Sequence, residues 1–167
     1  MIKKITLSTL EEYYHFFEKS LALLFPEYNK KEREFIFSHP KAWSKEKYKR
    51  LLKENSRILL GVWENDKVVG ILDAELPFMG VSLADWLMVD KKSQKTGIGT
   101  KLLNEWERIV KRMGAHSIFL YADKRNNMYY KNRGFELSGV HKKAWFGQDH
   151  YLFTKTIQIP KEENYLK

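Results

Sequence analysis

Gln94–Gly99, with the sequence QKTGIG, joins an apolar strand-like run to a long segment with apolar residues at helical spacing. The preceding run, Leu83–Val89, is rich in residues that favour strands. Glycine leaves the backbone open to a ligand, and the first turn of a helix presents unpaired N–H groups beside the positive end of its dipole. The stretch therefore predicts an anion-binding turn between a strand and a helix, with a plain helix start as the alternative.

The size and composition of the chain predict a globular protein. Its 167 residues fit one domain spanning residues 1–167, and 43% of them are hydrophobic. No apolar run is long enough to cross a bilayer, and Met1–Thr6 lacks the apolar stretch of a secretory signal. We therefore expect a cytoplasmic protein that is not a membrane partner.

The absence of cysteine excludes several kinds of site, and the net charge indicates the kind of binding partner. With no cysteine, the chain has no disulfide, no thiolate zinc site and no cysteine nucleophile. The net charge of +9 suits an anionic partner such as a nucleic acid, a membrane surface or a phosphorylated cofactor. Charge alone does not choose among these three.

Basic residues crowd into the segment from Lys30 to Arg57. A nucleic-acid surface is one interpretation, and a solvated helix face is the other. No zinc-finger spacing, basic zipper or RNA-binding aromatic signature accompanies the charge, so the solvated face is preferred.

The remaining patterns predict a mixed α/β protein. Six apolar or β-branched segments after residue 56 are predicted to form strands, two of them joined as a hairpin through Glu64-Asn65-Asp66. Ser8 with Glu11 predicts a capping box for the first helix, and Glu107 with Lys111 predicts an ion pair on the long one. Helical crossovers permit parallel strands and hairpins require antiparallel ones, so we expect both in one sheet.

Two motifs resemble those of the GNAT superfamily, the acetyl-coenzyme A dependent N-acetyltransferases. The first is Val89–Gly99, which resembles the family's strand, loop and [RQ]xxGx[GA] pyrophosphate motif. The second is Asn126–Phe135, which resembles the family's amide residue, tyrosine and glycine-phenylalanine pair, and the segment His150–Lys155 is similar to its last strand. The resemblance covers most of the chain.

The resemblance implies a GNAT-like central mixed, mostly antiparallel sheet flanked by helices, with a V-shaped splay after the strand that ends at Val89. Pantetheine of acetyl-CoA would bind strand-edge groups of Met88 and Val89. Backbone amides would hold the pyrophosphate. The implied cofactor residues are Met88, Val89, Gln94, Lys95, Thr96, Gly97, Ile98, Gly99, Thr100 and Asn126. Many relatives have asparagine where this chain has Asp123, which leaves the contacts near Asn126 open.

Acetyl transfer requires an oxyanion donor and a proton for the leaving thiolate. The resemblance implies the backbone N–H near Val89 as the donor. Tyr130 is the candidate acid, because it lies four residues before Gly134, where the family has its tyrosine. Tyr129 is the competitor, since consecutive helix residues point about 100° apart and only one of them can face the thioester.

The general base is the least determined role. Asp85 shares a strand face with Leu87 and Val89 and is the first candidate, whereas Asp73 with Glu75 is the second. Ordinary surface salt bridges are the structural alternative for these carboxylates. The five histidines are scattered without metal-ligand spacing, so no metal site is expected.

These patterns predict an N-acetyltransferase that passes acetyl from acetyl-CoA directly to a primary amine. The acceptor is a small-molecule or peptide amine of unspecified identity, and the protein is a monomer or a homodimer. A non-catalytic acetyl-CoA-binding domain and a nucleic-acid-binding protein are the alternatives. The aromatic and acidic segment Glu11–Phe17 either flanks a cationic acceptor or, preferably, faces the core of the protein.

Overall fold

The computed structural model describes residues 1–166. In chain order the strands and helices are β1 Ile2–Lys4, α1 Leu10–Leu24, α2 Lys30–Ser38, α3 Lys45–Lys53, β2 Arg57–Glu64, β3 Lys67–Glu75, β4 Val81–Val89, α4 Ile98–Arg112, β5 Ser117–Ala122, α5 Asn127–Lys131, β6 Glu136–His141, β7 His150–Thr156 and α6 Glu162–Tyr165. Short 3₁₀ turns occupy Lys91–Ser93, Lys124–Asn126 and Trp145–Gly147.

The strands form a seven-stranded mixed sheet in the order β1-β2-β3-β4-β5-β7-β6. β4 and β5 are parallel, whereas β1 with β2, β5 with β7 and β6 with β7 are antiparallel. The turn between β2 and β3 has positive φ at Asn65 and Asp66, as a two-residue hairpin turn requires. The predicted mixed α/β fold is therefore confirmed.

The register between β4 and β5 bears on the predicted splay. It runs from Val81 opposite Ser117 to Ala84 opposite Leu120, while β4 itself continues to Val89. β5 pairs with β7 over its whole length. The described parallel pairing covers the first four residues of β4, and the splay stays a prediction.

The chain forms two compact units, and both β4 and α4 contribute to each of them. The first unit comprises Met1–Asp73 with Trp86–Leu102, and the second comprises Ala74–Asp85 with the chain from Leu103 onward. That residues 1–167 act as a single domain stays a prediction.

Aromatic side chains of α1 form the core of the first unit. Tyr13, Tyr14, Phe16 and Phe17 are all buried, and Phe17 packs against Trp86 of β4 with ring centroids 5.3 Å apart. Their helical spacing places them on one face, so burial of that face explains why α1 forms. The preferred core role of the Glu11–Phe17 segment is confirmed.

Two local predictions are wrong because long-range partners compete with helix-local ones. α1 begins at Leu10 after Thr9, with no side-chain cap, and Glu11 binds Lys45 Nζ at 2.7 Å instead of forming a capping box with Ser8. Glu107 of α4 accepts from Lys155 Nζ at 2.6 Å rather than pairing with Lys111. A capping box does occur at α2, where Asn29 and Glu32 bond reciprocally.

A buried charge network crosses the first unit. The Asp73 carboxylate is fully buried and accepts from Tyr48 Oη at 2.6 Å and from Arg57 Nε at 2.5 Å. Burial and the neighbouring Asp73 charge raise the pKa of Tyr48 well above its ordinary value, so the phenol remains a hydrogen-bond donor. Asp73 therefore ties α3 and β2 to β3.

Removing this carboxylate is expected to destabilise the protein strongly. Asp73→Ala leaves the Arg57 guanidinium, whose side chain is 11% exposed, without its buried counter-charge. We expect a loss of about 3–5 kcal/mol in the free energy of unfolding, measured by urea denaturation. Asp73→Leu combined with Arg57→Met should recover part of that loss, and a change below about 1 kcal/mol in Asp73→Ala would contradict a structural role.

Candidate active site

The loop after β4 is shaped by local hydrogen bonds. Asp90 Oδ2 accepts from the amide of Lys92 at 3.1 Å, and Thr96 Oγ1 donates to the Ser93 carbonyl at 2.7 Å. The loop then passes through two residues with positive φ, Lys95 at +66° and Gly97 at +88°. These conformations turn the chain directly into α4.

The N-terminus of α4 offers the amides that the sequence predicted for an anion. The amide of Lys101 donates to the Gly97 carbonyl at 2.9 Å, which starts the helical pattern at Gly97. The N–H groups of the first turn precede this bond and therefore point out of the helix end. Apart from Gly97 and its two chain neighbours, no heavy atom of residues 1–166 lies within 4 Å of the position that a Cβ on Gly97 would occupy. The loop is thus an open cradle into which a single added carbon would project.

A side-chain bond ties the cradle to the end of β4. Gln94 Nε2 donates to the Val89 carbonyl at 3.2 Å, while the next amide, that of Asp90, donates to the Val69 carbonyl at 2.8 Å. Sequence reasoning identified Gln94 through its motif but did not identify this bond, because a five-residue loop leaves the direction of the side chain undetermined. Gln94 therefore fixes the distance between the cradle and the last strand residue.

Met88 and Val89 present different groups. Met88 is only 1% exposed as a whole residue, and it lies in the core of the first unit. Val89 lies on the opposite, half-buried face of β4. That both residues bind a ligand through strand-edge backbone groups stays a prediction.

The two adjacent tyrosines of α5 have different surroundings. Tyr130 is buried, with its ring 5.1 Å from Phe153 and 5.7 Å from Phe135. Burial raises the pKa of Tyr130, which keeps its phenol protonated. Tyr129 is half-buried, and the Arg133 guanidinium lies 3.6 Å above its ring. The Tyr130 ring thus packs against Phe153 of β7, and which of the two tyrosines faces the thioester stays a prediction.

The three carboxylates that are candidates for the general base differ in burial and in hydrogen bonding. Asp85 is half-buried on β4, and Glu75 is exposed at the end of β3. Asp73 has both carboxylate oxygens bonded in the core of the first unit, which favours a structural role. Asp85 thus stands as the first candidate, on the same strand face as Val89.

Asn126 and Asp123 lie in the 3₁₀ turn before α5. The amide of Asn126 donates to the Asp123 carbonyl at 3.0 Å, and its exposed side chain makes no cap bond. Partial burial opposes ionisation of Asp123, but hydrogen bonds from the Arg125 side chain and backbone outweigh it and hold the pKa of Asp123 below its ordinary value. Asp123 is thus engaged locally, and the exposed side chains of this turn are those of Lys124, Arg125 and Asn126.

The candidate residues fall into two groups. Met88, Val89 and Gln94–Thr100 belong to the first unit, whereas Asp85, Asn126 and Tyr130 belong to the second. Consecutive residues of β4 divide between the groups, since Asp85 belongs to one and Trp86 to the other.

The basic segment from Lys30 to Arg57 has the features of a solvated helix face. Four cations on its helices α2 and α3 form ion pairs with carboxylates, and Arg57 of β2 pairs with the buried Asp73. The four helix pairs are Lys30 with Glu34, Lys45 with Glu11, Lys49 with Glu46 and Arg50 with Glu54. In the described part of the chain, no helix is long and apolar enough to span a bilayer. Residues 1–166 also contain no group of three potential metal-ligating side chains.

Comparison with known proteins identifies the family. The model of the Acetyltransferase (GNAT) family matches residues 23–135, more than half of the chain. No curated protein sequence matches this chain.

Solved structures share the fold. PaiA N-acetyltransferase from Thermoplasma acidophilum, in complex with coenzyme A, is 21% identical with a TM-score of 0.78 and covers 93% of this chain and 98% of its own. The ribosomal-protein-S18-alanine N-acetyltransferase from Escherichia coli is 16% identical with a TM-score of 0.70. This alignment covers 97% of this chain and 96% of the Escherichia coli chain. The aminoglycoside 6'-N-acetyltransferase from Enterococcus faecium is 18% identical with a TM-score of 0.65. This alignment covers 97% of this chain and 99% of the Enterococcus faecium chain.

The match to an acetyltransferase family supports acetyl-CoA as the co-substrate predicted from the sequence. The family match and the shared fold agree with the two motifs at Val89–Gly99 and Asn126–Phe135. This chain belongs to the GNAT family of acetyltransferases, and it is therefore an acyltransferase.

Proposed function

We propose that the protein transfers an acetyl group from acetyl-CoA directly to a primary amine, and that residues 1–167 act as one catalytic domain in the cytoplasm. The observation that carries this proposal is the cradle at the start of α4, with its open space beside Gly97. Backbone amides of Lys95–Thr100 would bind the pyrophosphate, with the helix dipole adding to the attraction. Lys95 and Lys101 would supply positive charge beside it.

Each catalytic role is assigned to a group of this chain. Acetyl-CoA supplies a reactive thioester. The N–H of Val89 would donate a hydrogen bond to the thioester carbonyl oxygen, while the Gln94 side chain holds the Val89 carbonyl. Asp85 would accept a proton from the acceptor amine, directly or through water. Because the chain has no cysteine, acetyl is not carried on a thiolate of the enzyme.

Tyr130 would assist departure of the thiolate. A thiol has a pKa near 8.5 and an ordinary phenol one near 10, and burial raises the pKa of Tyr130 further. Full proton transfer from this phenol to a thiolate is therefore uphill. A hydrogen bond from Tyr130 to the sulfur is the role that fits this pKa order.

The acceptor is a primary amine on a small molecule or a peptide. The test is a panel comprising a polyamine, an aminoglycoside, free amino acids and N-terminal peptides, with acetyl-CoA consumption read as release of free thiol. We expect turnover with at least one class. Binding of acetyl-CoA without thiol release above the hydrolysis background for any amine would instead identify a non-catalytic binding domain.

The assignment of Asp85 predicts a change in the pH profile. Asp85→Asn preserves the shape of the side chain but removes its charge, so the rate should fall by roughly tenfold or more near neutral pH. Raising the pH should recover part of the rate, because solvent then supplies the unprotonated amine.

The matched comparison is Glu75→Gln, which neutralises the exposed carboxylate at the end of β3. We expect its pH–rate profile to follow that of the parent. A profile of unchanged shape in Asp85→Asn would remove Asp85 from the mechanism, and a changed one in Glu75→Gln would transfer the role to Glu75.

A further inference from the structure

Within the second unit, the proposed base has an aromatic neighbour on the adjacent strand. The last described pair of the parallel register between β4 and β5 is Ala84 with Leu120, and both residues are buried. Asp85 and Tyr121 follow this pair directly, and both are half-buried. Because side chains alternate between the two faces of a strand, Asp85 and Tyr121 lie together on the face opposite to that pair.

Tyr121 belongs to a cluster of four rings on that face. It pairs with Leu152 across β5 and β7, and His150 lies two residues before Leu152, on the same side of β7. His150 in turn pairs with His141 of β6. The ring of Trp145, from the turn between β6 and β7, lies 5.2 Å from that of Tyr121. The rings of His150 and His141 lie 5.0 and 5.8 Å from the indole, and we call these four residues the Trp145 cluster.

The Trp145 side chain is held in place and yet remains exposed. Its interplanar angles to the three neighbouring rings are 74°, 66° and 89°, so each ring meets the indole nearly at a right angle. The turn is closed by hydrogen bonds of 2.8 Å from the Ala144 amide to the Gln148 carbonyl and from the Lys143 amide to Asp149 Oδ1. Trp145 is nevertheless 51% exposed. A large aromatic surface is thus presented to solvent in a fixed orientation.

The same turn holds two residues in an unfavourable backbone conformation. Lys143 and Phe146 have φ of +49° and +56°, in the left-handed region that favours glycine and that a bulky side chain rarely adopts. Strained backbone of this kind concentrates at ligand-binding and active sites. The strain therefore agrees with a binding role for the turn that carries Trp145.

The charges near the cluster favour a ligand with a single positive charge. Four exposed cations lie next to it in the chain, Lys124 and Arg125 after β5 and Lys142 and Lys143 after β6. The neighbouring Asp123 carboxylate already binds Arg125 Nε at 2.8 Å. An acceptor with several ammonium groups would meet like charges here, whereas a single ammonium has its opposite charge in Asp85.

We propose that the Trp145 cluster binds the body of the acceptor, and that the acceptor is an arylalkylamine, a primary amine joined to an aromatic ring by a short carbon chain. Its ring would pack on the exposed indole of Trp145, and its ammonium would lie at Asp85. A short chain suffices, because only Tyr121 separates the two groups. This inference rests on the acetyl transfer proposed above and leaves the chemistry of that step unchanged. Peptides that begin with phenylalanine carry the same group.

The test is steady-state kinetics with three amines, read as release of free thiol from acetyl-CoA. Phenethylamine has a ring and one charge, butylamine has one charge and no ring, and putrescine has two charges and no ring. We expect kcat/KM for phenethylamine to exceed that for either of the others by roughly tenfold or more. A dipeptide that begins with phenylalanine, if it is a better substrate than phenethylamine, would support the same subsite with a peptide as its source.

Variants of Trp145 test the subsite itself. Trp145→Ala should raise KM for phenethylamine by roughly tenfold and change KM for butylamine by less than about twofold, whereas Trp145→Phe keeps an aromatic ring and should retain most of the preference. The matched control is Phe78→Ala, which removes a ring that is 74% exposed between β3 and β4 and should leave the kinetics with all three amines unchanged. Thermal unfolding of each variant confirms that it is folded.

The outcomes separate this inference from the function on which it rests. An undiminished preference for phenethylamine in Trp145→Ala, or a parent protein that prefers putrescine, would overturn the subsite and leave acetyl transfer in place. The absence of thiol release with every amine would overturn the acetyl transfer, and this inference with it.

Discussion

Gly97→Val is expected to abolish the stabilisation that acetyl-CoA confers on the protein. A ligand that binds only the folded state adds about 2.7 kcal/mol at a concentration near 100 times its Kd, or roughly 5–10 °C in Tm for a chain of this size. In the described part of the parent protein, no heavy atom other than those of Gly97 and its two chain neighbours lies within 4 Å of where the valine Cβ would project. The added side chain would therefore fill the space that the pyrophosphate needs. The measurement is Tm as a function of acetyl-CoA concentration.

A matched control separates blocked binding from backbone strain. Gly97 has φ of +88°, so a side chain there costs roughly 1–2 kcal/mol even without ligand. Gly147, in the 3₁₀ turn between β6 and β7, has φ of +73° and equally open space at its Cβ position. Gly147→Val should thus lower Tm similarly but retain the shift with acetyl-CoA. An undiminished shift in Gly97→Val would show that the cradle does not bind the cofactor.

The contrast between these two glycines also shows what the sequence alone determines. Gly97 was assigned by its position between β4 and α4, whose predicted and observed boundaries agree because strand formers and helical spacing give strong local signals. Gly147 has the same backbone geometry without such a context. Local pattern therefore identified the turn that we propose as the pyrophosphate site, whereas conformation by itself would not have done so.

Predictions of the specific hydrogen-bond or ion-pair partner of a side chain were less successful. Glu11 and Glu107 were assigned to neighbours within their helices, but they bind Lys45 and Lys155, 34 and 48 residues away. Helix-local ion pairs contribute only about 0.2–0.5 kcal/mol, so a tertiary partner readily replaces them. The same reasoning applies to Asp73, whose partners Tyr48 and Arg57 are brought to it by the fold.

In the candidate site, too, the backbone features could be predicted from the sequence and the side-chain contacts could not. The backbone cradle could be predicted, because its chemistry depends on glycine and on a helix start rather than on side-chain direction. The bond from Gln94 to the Val89 carbonyl and the distinct surroundings of Tyr129 and Tyr130 could not, because each depends on how side chains pack after folding. Tyr130 lies on the sheet-facing side of α5, whereas Tyr129 lies beneath Arg133.

Tyr130→Phe is expected to lower kcat by roughly 10- to 1000-fold, because it removes a hydrogen-bond donor to the charge that develops on the leaving sulfur. The change removes one oxygen and keeps the ring that packs against Phe135 and Phe153, so Tm should change little. Because the hydrogen bond to the leaving sulfur forms as charge develops, the affinity for acetyl-CoA should change far less than kcat. Steady-state kinetics with the best acceptor from the amine panel provides the measurement.

Tyr129→Phe is the matched control, since it makes the same chemical change one residue away on α5. It should leave kcat within about twofold of the parent, whereas a large loss there with none in Tyr130→Phe would transfer the role to Tyr129. The pH dependence adds a second criterion. Burial raises the pKa of Tyr130 above its ordinary value of 10, so the phenol stays protonated throughout an assay between pH 6 and 9. The ratio of parent to Tyr130→Phe rates should therefore stay constant across that range, because a group that does not titrate there contributes equally at every pH.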